Sequence, residues 1–385
     1  MSNPKILLVA GTRPEAVKMA PVYFALQESK TLEPIFCSTA QHRQMMDQTL
    51  GVFGITPDLD LNLMRPGQTL PSLTAAVIEG ATRALQEIQP AAVLVQGDTT
   101  TVLGTALAAF YEKIPIGHVE AGLRTYDFEA PWPEEMNRRL VDPISRWCFA
   151  PTEFSQANLF RESINPSFCE VTGNTVIDAL LWIRTQQESQ GIGSKAITQR
   201  CEIDETFTAD YLEGEKPWIL VTGHRRESFG GGFENICKSI LALVEKWPDL
   251  GVLYPVHLNP SVQEPVNRLL ANHPRICLAK PCGYYDFIWL MSRCHFLISD
   301  SGGVQEEAPS LGKPVLVMRD TTERPEGIDA GTCRLVGTDP DRIIPEASLL
   351  LSDPSEYERR SQLNNPYGDG KASKRIRERL EKDLG

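Results

Sequence analysis

Short apolar runs alternate with amphipathic stretches along most of the chain. Such runs are typical of parallel strands that are buried on both faces, and the stretches between them predict helices. In the first half, strands are predicted at Lys5–Ala10, Ala91–Gln96, Ile114–Val119 and Trp147–Ala150, and helices at Pro14–Gln27 and Thr101–Tyr111. This order is typical of βαβ units, so we expect an α/β fold with a parallel sheet that is covered on both faces.

The same pattern starts again after a polar interval at 186–215. A helix is predicted at Phe233–Trp247, and strands are predicted at Pro217–Thr222, Gly251–Pro255, Ile276–Leu278, Phe296–Ser299 and Pro314–Val317. We therefore expect two Rossmann-like domains, residues 1–172 and 173–370, and a terminal helix at 371–385. Open parallel sheets bind ligands at the carboxyl ends of their strands, so two such domains facing each other would form a central cleft.

Composition and charge narrow the range of functions. The 385 residues carry a formal net charge of −12 at pH 7, which argues against nucleic acid as a partner. No apolar run is long enough to span a membrane, and the chain opens directly on a predicted strand, so we expect no membrane association. The nine cysteines include no C-x-x-C pair, which indicates buried free thiols in a reducing cytoplasm and does not favour a zinc site.

Three carboxylates are candidates for chemistry in the first half. Asp98 and Glu120 closely follow predicted strands, and Glu134 follows a proline that reads as a helix start. Asp98 and Glu134 also have structural alternatives, because an Asp can cap a helix and acidic residues complement the dipole of a first turn. Carboxylates crowded at one sheet edge acquire separated pKa values, which suits an acid and a base. His118, within an apolar strand, is interpreted as a core histidine.

Cationic and hydrogen-bond-donating groups follow strands elsewhere. His224 lies in a His-Arg-Arg segment that suits an anion. The segment 301–303 (Ser-Gly-Gly) would present backbone N–H groups to a diphosphate, with Glu307 available to a ribose diol; an ordinary capped helix is the alternative. Arg13 suits either a phosphate or a plain βα turn. Neither a G-x-G-x-x-G nor a Walker A sequence is present, so no dinucleotide cofactor is indicated.

Nine segments spread over nearly the whole chain match the motifs of one protein family. They are Gly11–Glu15 with Lys18, Thr39–Arg43, Gly97–Thr101, His118–Thr125, Pro133–Arg138, Thr222–Ser228, Tyr254–Pro260, Ser299–Pro309 and Thr322–Glu326. In content and order they resemble the bacterial non-hydrolysing UDP-N-acetylglucosamine 2-epimerases. The resemblance implies the glycosyltransferase-B architecture, with two Rossmann-like domains around a central cleft and a last helix that packs back on the first domain.

The resemblance also implies roles for individual residues. The catalytic set it implies is Asp98, Glu120, Glu134 and His224. The substrate-binding set it implies is Arg13, Lys18, Phe287, Ser301, Gly302, Gly303, Glu307 and Arg324. Family members are often activated by substrate at a second site, and the residues in the corresponding segments are Gln41, Gln44 and His257. No metal or cofactor is implied.

The implied reaction converts UDP-N-acetylglucosamine to UDP-N-acetylmannosamine reversibly, by elimination of UDP and its re-addition to a glycal. The implied partners are UDP-N-acetylglucosamine or UDP and a second copy of the chain, and the product would supply cell-surface polysaccharide synthesis. Three alternatives stay open at this point: a UDP-sugar glycosyltransferase of the same architecture, a hydrolysing 2-epimerase, and a non-catalytic nucleotide-sugar sensor.

Overall fold

The chain divides into two compact units in a computed structural model that describes residues 3–39, 43–65 and 67–385, without the side chains at 43–45 and 226. Unit 1 comprises the residues up to Trp182 together with Tyr367–Gly385, and unit 2 comprises Ile183–Pro366. Both units are built on parallel sheets, which confirms the prediction of two Rossmann-like α/β domains.

Unit 1 contains a parallel sheet that has seven strands within the described residues, in the order β3-β2-β1-β4-β5-β6-β7. Its strands are β1 (Lys5–Ala10), β2 (Glu33–Ser38), β3 (Leu59–Asp60), β4 (Ala92–Gln96), β5 (Ile116–Val119), β6 (Trp147–Ala150) and β7 (Cys169–Val171). The helices up to the end of this sheet and just beyond it are α1 (Arg13–Gln27), α2 (Arg43–Phe53), α3 (Leu70–Ile88), α4 (Thr100–Tyr111), α5 (Glu134–Val141), α6 (Glu153–Arg161) and α7 (Thr175–Ser189).

The central strands of unit 1 are apolar because helices cover both faces of the sheet. Every residue of β4 is buried, and Val93 and Val95 belong to a core that also includes Leu7 of β1 and Leu85 of α3. Each such aliphatic side chain contributes about 1.5–3 kcal/mol when it leaves water. This rigid layer fixes the positions of the loops that follow the strands.

Unit 2 contains a second parallel sheet, which over the described residues has six strands in the order β10-β9-β8-β11-β12-β13. Its strands are β8 (Trp218–Thr222), β9 (Gly251–Pro255), β10 (Ile276–Ala279), β11 (Leu297–Ser299), β12 (Val315–Val317) and β13 (Cys333–Leu335). Its helices are α8 (Ser194–Cys201), α9 (Glu205–Phe207), α10 (Gly231–Lys246), α11 (Pro260–Leu270), α12 (Tyr284–Arg293), α13 (Gly302–Glu307), α14 (Pro325–Asp329), α15 (Pro340–Ser352) and α16 (Pro354–Ser361). The apolar face predicted for α10 is buried in the core of this unit.

The last helix, α17 (Ala372–Leu384), packs against α1 of unit 1. The indole N–H of Trp147 donates to Asp383 Oδ2 at 2.7 Å, which anchors the end of the helix to β6. The carboxylate of Asp178 on α7 accepts the backbone N–H groups of Ala372 and Ser373 at 3.2 and 2.8 Å. Because these bonds tie the start of α7 to unit 1, the division lies after Trp182, whereas the sequence predicts it after residue 172.

Two further expectations concern thiols and membranes. All nine cysteines are free, and eight of them are buried, with Cys282 half-buried. Among the helices of the described residues, none combines the length and the apolar character needed to cross a lipid bilayer.

Candidate active site

Within the described residues, the strand order of each sheet reverses at one position, and predicted site residues follow the strands there. The reversal lies between β1 and β4 in unit 1 and between β8 and β11 in unit 2. Arg13 follows β1, Asp98 follows β4, His224 follows β8 and Ser301 follows β11. Ligands of open parallel sheets bind outside the carboxyl ends of strands at such positions.

Glu120 follows β5 in an unusual backbone conformation. Its φ angle is +69°, which is uncommon for a residue with a Cβ atom. The backbone N–H groups of Glu120 and Ala121 both donate to the carbonyl oxygen of Phe149, at 3.0 and 3.1 Å. These bonds to β6 hold the turn in place.

The carboxylate of Glu120 is buried and accepts three hydrogen bonds. Oε1 accepts from Asn174 Nδ2 at 3.0 Å and also receives the ammonium group of Lys18, while Oε2 accepts from the amide of Gln96. The side chains of Lys18 and Glu120 are only 13% and 7% exposed. Two residues from separate predicted sets, one catalytic and one substrate-binding, therefore form a single ion pair.

Asp98 is half-buried and does not cap helix α4. Thr99 is the N-cap residue, because its hydroxyl accepts the backbone N–H of Val102. The capping alternative for Asp98 is therefore wrong. Its carboxylate lies 3.5 Å from the guanidinium of Arg138, and its backbone carbonyl accepts a hydrogen bond from Asn137 at 2.8 Å.

Glu15 is a buried carboxylate at the same sheet edge, and it is not among the predicted site residues. It accepts the backbone N–H groups of Gly11 and Thr12 at 2.5 and 2.9 Å and the hydroxyl of Thr99. Burial, with a smaller contribution from Asp98, raises its pKa to about 7 against the lowering effect of these bonds. The sequence feature that identifies Glu15 is the Thr-x-x-Glu capping box at the start of α1.

The adjacent glutamates at the start of α5 have different environments. Glu135 is fully buried and accepts the backbone N–H groups of Thr125 and Tyr126 at 3.0 and 2.9 Å. Glu134 is half-buried, and no hydrogen bond to its carboxylate is found in the described part of the chain. Glu135 therefore fixes the preceding loop, while Glu134 is available for chemistry.

Asp300 organises the loop that carries His224. Its Oδ2 accepts the backbone N–H groups of His224 and Arg225 at 2.7 and 2.8 Å, and its Oδ1 lies 3.2 Å from His224 Nδ1. The carboxylate is buried, whereas the imidazole of His224 is 43% exposed. The ring of His257 stacks on that of His224 with 5.7 Å between centroids, so His257 lies beside a predicted catalytic residue.

The guanidinium of Arg324 approaches the backbone at Gly302 closely. A Cβ atom at Gly302 would lie 2.5 Å from the guanidinium carbon of Arg324. Arg324 donates to Glu306 at 2.7 Å and to Glu323 at 2.5 Å. Burial opposes the ionisation of Glu323, but Arg324 and Arg319 outweigh it and lower the pKa of Glu323 to about 2.

Four other predicted residues lie in unit 2 around α12 and α13. Ser301 is the N-cap residue of α13, although its side chain makes no capping hydrogen bond. A Cβ atom on Gly303 would lie 3.9 Å from both Ser301 Oγ and Glu307 Oε2, so these groups are neighbours. Glu307 is buried and accepts the hydroxyl of Tyr284 at 2.6 Å. Phe287, also on α12, is half-buried.

The chain is similar to known proteins over nearly its full length. A family model described as UDP-N-acetylglucosamine 2-epimerase matches residues 24–381. The chain belongs to the UDP-N-acetylglucosamine 2-epimerase family. The enzyme of that name from Escherichia coli O157:H7 is 54% identical over 376 residues, which cover 98% of each chain. This confirms the predicted resemblance and assigns the chain to a family of isomerases.

Solved structures of the epimerase family have the same fold. The crystal structure of the Neisseria meningitidis enzyme bound to UDP-GlcNAc has a TM-score of 0.87 and 49% identity, and covers 98% of this chain and 100% of that one. The Methanocaldococcus jannaschii enzyme in complex with UDP-GlcNAc and UDP has a TM-score of 0.77 and 31% identity, with coverage of 98% and 99%. The predicted glycosyltransferase-B class is thereby confirmed.

The remaining predicted residues of this epimerase-family chain are Arg13, Gln41 and Gln44, and only Arg13 is described in full. Arg13 is exposed at the first position of α1. Gln41 and the side chain of Gln44 lie outside the described residues. In the described part of the chain, no group of three or more His, Cys, Asp or Glu side chains is arranged to hold a metal ion.

Proposed function

We propose that the chain catalyses the reversible inversion of C2 in UDP-N-acetylglucosamine, giving UDP-N-acetylmannosamine. The observation that carries the proposal is the near full-length similarity to epimerases of that name, one of them solved with UDP-GlcNAc bound. It is supported by the carboxylates that follow β4 and β5 in unit 1 and by His224 and Arg324 in unit 2.

The family resemblance implies that inversion at C2 proceeds by an elimination, since the C2 proton has no neighbouring carbonyl to make it acidic. In the proposed reaction, a carboxylate takes the C2 proton while the bond from C1 to the UDP oxygen breaks. The products are UDP and a glycal with a C1–C2 double bond. A proton is then delivered to the opposite face of C2 as UDP adds back to C1, so the atoms balance and no redox step occurs.

The acid and base in this scheme come from Asp98, Glu120 and Glu134. Glu120 is restrained by three donors, whereas Glu134 carries no such bonds in the described residues. The two carboxylates therefore have different hydrogen-bonding environments, which suits a division of labour between an acid and a base.

The departing UDP gains negative charge in the transition state and needs positive groups and N–H donors. We assign this task to His224, Arg13 and the backbone of 301–303, with Glu307 at the ribose and Phe287 at the uracil. Arg324 supports this region from its ion pairs with Glu306 and Glu323. Preorganised donors of this type often provide the largest single share of catalysis.

The test is incubation with UDP-N-acetylglucosamine in heavy water without an acceptor. An epimerase forms UDP-N-acetylmannosamine with one deuterium at C2 and regains the UDP it releases. A glycosyltransferase leaves C2 protonated, a hydrolysing epimerase accumulates UDP and free N-acetylmannosamine, and a sensor binds without exchange. Any of these three outcomes would replace the proposal.

Three further parts of the proposal rest on the family resemblance alone. The enzyme is a cytoplasmic homodimer, and its product supplies cell-surface polysaccharide synthesis. A second, activating substrate site lies near Gln41, Gln44 and His257. Sedimentation measures the oligomeric state. A sigmoidal dependence of rate on substrate that becomes hyperbolic in His257→Ala would support the second site.

A further inference from the structure

His118 makes two short contacts with oxygen atoms inside unit 1. Its Nδ1 lies 2.6 Å from Asp142 Oδ1, and its Nε2 lies 2.7 Å from the carbonyl oxygen of Gly97. A backbone carbonyl can only accept a hydrogen bond, and so can an ionised carboxylate. A neutral imidazole has one N–H group and would leave a lone pair facing one of these oxygens. Two donors, and hence an imidazolium cation, satisfy both contacts.

Asp142 is the counter-ion of this cation. Its Oδ2 accepts from the guanidinium of Arg124 at 2.6 Å and from the backbone N–H of Gly122 at 3.3 Å, and the adjacent guanidinium charge favours the ionised form. The side chains of His118, Asp142 and Arg124 are 0% exposed. Arg124 in turn pairs with Glu162 at 2.6 Å, and Glu162 also lies 3.1 Å from Arg139.

The balance of charges favours the protonated ring. Burial alone would lower the pKa of His118, and Arg124 also lowers it, but the charge and hydrogen bond of Asp142 and the Gly97 carbonyl outweigh both effects and raise it above its ordinary value. The same partners hold the pKa of Asp142 below its ordinary value against the effect of burial.

We propose that His118 is a positioning residue, whose imidazolium ties the end of β4 to Asp142 and thereby sets the backbone from which Asp98 projects. Gly97, with φ at +83°, is where the chain turns away from the sheet. His118 holds the Gly97 carbonyl, and Asn137 holds the carbonyl of Asp98 itself. This inference rests on the proposed function, because it treats Asp98 as a catalytic group.

Asp142 extends the same restraint to the second catalytic loop. It receives Gly122 and Arg124, which lie two and four residues after Glu120. One buried ion pair therefore fixes the loops that carry Asp98 and Glu120. A histidine that served the core alone would need neither the carbonyl contact nor the charge.

The experiment compares His118→Phe, which keeps a ring but has no donor, with a matched variant of the next strand. Trp147→Phe also removes one buried N–H donor, at 2.7 Å from Asp383. We expect His118→Phe to lower kcat on the order of 10²-fold with unchanged UDP affinity, and Trp147→Phe to leave kcat unchanged. Hydrogen exchange at 97–99 should accelerate in the first variant only.

A spectroscopic arm tests the cation in the wild-type protein, without relying on turnover. In wild-type protein labelled with 15N-histidine, both ring nitrogens of His118 should resonate as protonated nitrogens at pH 7. In Asp142→Asn one of them should shift to the unprotonated position. A neutral His118 at pH 7, or normal kcat and exchange in folded His118→Phe, would overturn the inference. A wild-type protein without C2 exchange would refute the proposed function instead, and the exchange and NMR arms would still decide the role of His118.

Discussion

The ammonium group of Lys18 and the carboxylate of Glu120 form an ion pair at the edge of the sheet in unit 1, although 102 residues separate them in the chain. Both side chains are largely buried, so water screens the pair only weakly. Removing one partner leaves a charge in a place where its hydration is poor, which usually costs several kcal/mol. The pair is therefore expected to matter for stability as well as for catalysis.

A double-mutant cycle measures this coupling. We expect Lys18→Met to lower the free energy of unfolding by about 3 kcal/mol, because Glu120 keeps only its two amide donors. Adding Glu120→Gln should restore part of that loss, since no buried charge remains, while activity stays absent. Urea unfolding of the four proteins gives the coupling energy. Strictly additive losses would mean that the pair contributes nothing to stability.

The sequence predicts strongly patterned elements well and long-range pairings poorly. β1 has the predicted bounds Lys5–Ala10, because an unbroken apolar run has few alternatives. β2 and the long helix α3 were not among the predicted elements. Motif position located Asp98 and Glu120 at strand ends, but the partners of Glu120 depend on a positive φ angle and on contacts between distant segments.

Asp98→Asn should separate chemistry from binding. The amide has the shape of the acid, and Thr99 already caps α4, so stability and UDP affinity should not change. We expect turnover to fall on the order of 10²- to 10⁴-fold, because the amide cannot exchange a proton with C2. Steady-state kinetics and calorimetric titration with UDP provide the two measurements. A near-normal kcat would remove Asp98 from the catalytic set.

The neighbouring glutamates of α5 offer a matched comparison. Glu134→Gln should lose turnover on the order of 10²-fold without unfolding more easily, since its carboxylate has no structural bonds in the described residues. Glu135→Gln should instead destabilise the protein by about 1–3 kcal/mol, because Glu135 accepts the amides of Thr125 and Tyr126. Steady-state kinetics and urea unfolding provide the two measurements. If Glu135→Gln lost turnover and Glu134→Gln lost stability, the roles of the two residues would be reversed.

Two adjacent glycines test whether the position of Arg324 matters for nucleotide binding. Gly302→Ala must displace the guanidinium, because the new Cβ atom would lie 2.5 Å from its carbon, whereas at Gly303 the nearest atoms are 3.9 Å away. We expect UDP affinity to fall roughly tenfold in Gly302→Ala, a cost of about 1.4 kcal/mol, and much less in Gly303→Ala. An equal loss in both variants would indicate that backbone access, not Arg324, limits binding.

Glu15 predicts a specific dependence of stability on pH. Its pKa is about 7 in the folded protein, compared with an ordinary value of 4.5 for a glutamate, and burial is the main cause. Between these values the folded state keeps a proton that the unfolded state has lost, so this group makes stability fall as pH rises from about 4.5 to 7. The full effect is about 3 kcal/mol.

Glu15→Gln should abolish this dependence while keeping the fold. The amide oxygen can accept the N–H groups of Gly11 and Thr12, and the amide nitrogen can donate to Thr99, as a protonated carboxyl group would. The variant should therefore match the wild type in urea unfolding at pH 5 and exceed it by up to about 3 kcal/mol at pH 8. Taking the difference between the two proteins cancels the other titrating groups. A difference that does not change with pH would show that Glu15 ionises normally, and that the buried capping box is held as a carboxylate throughout.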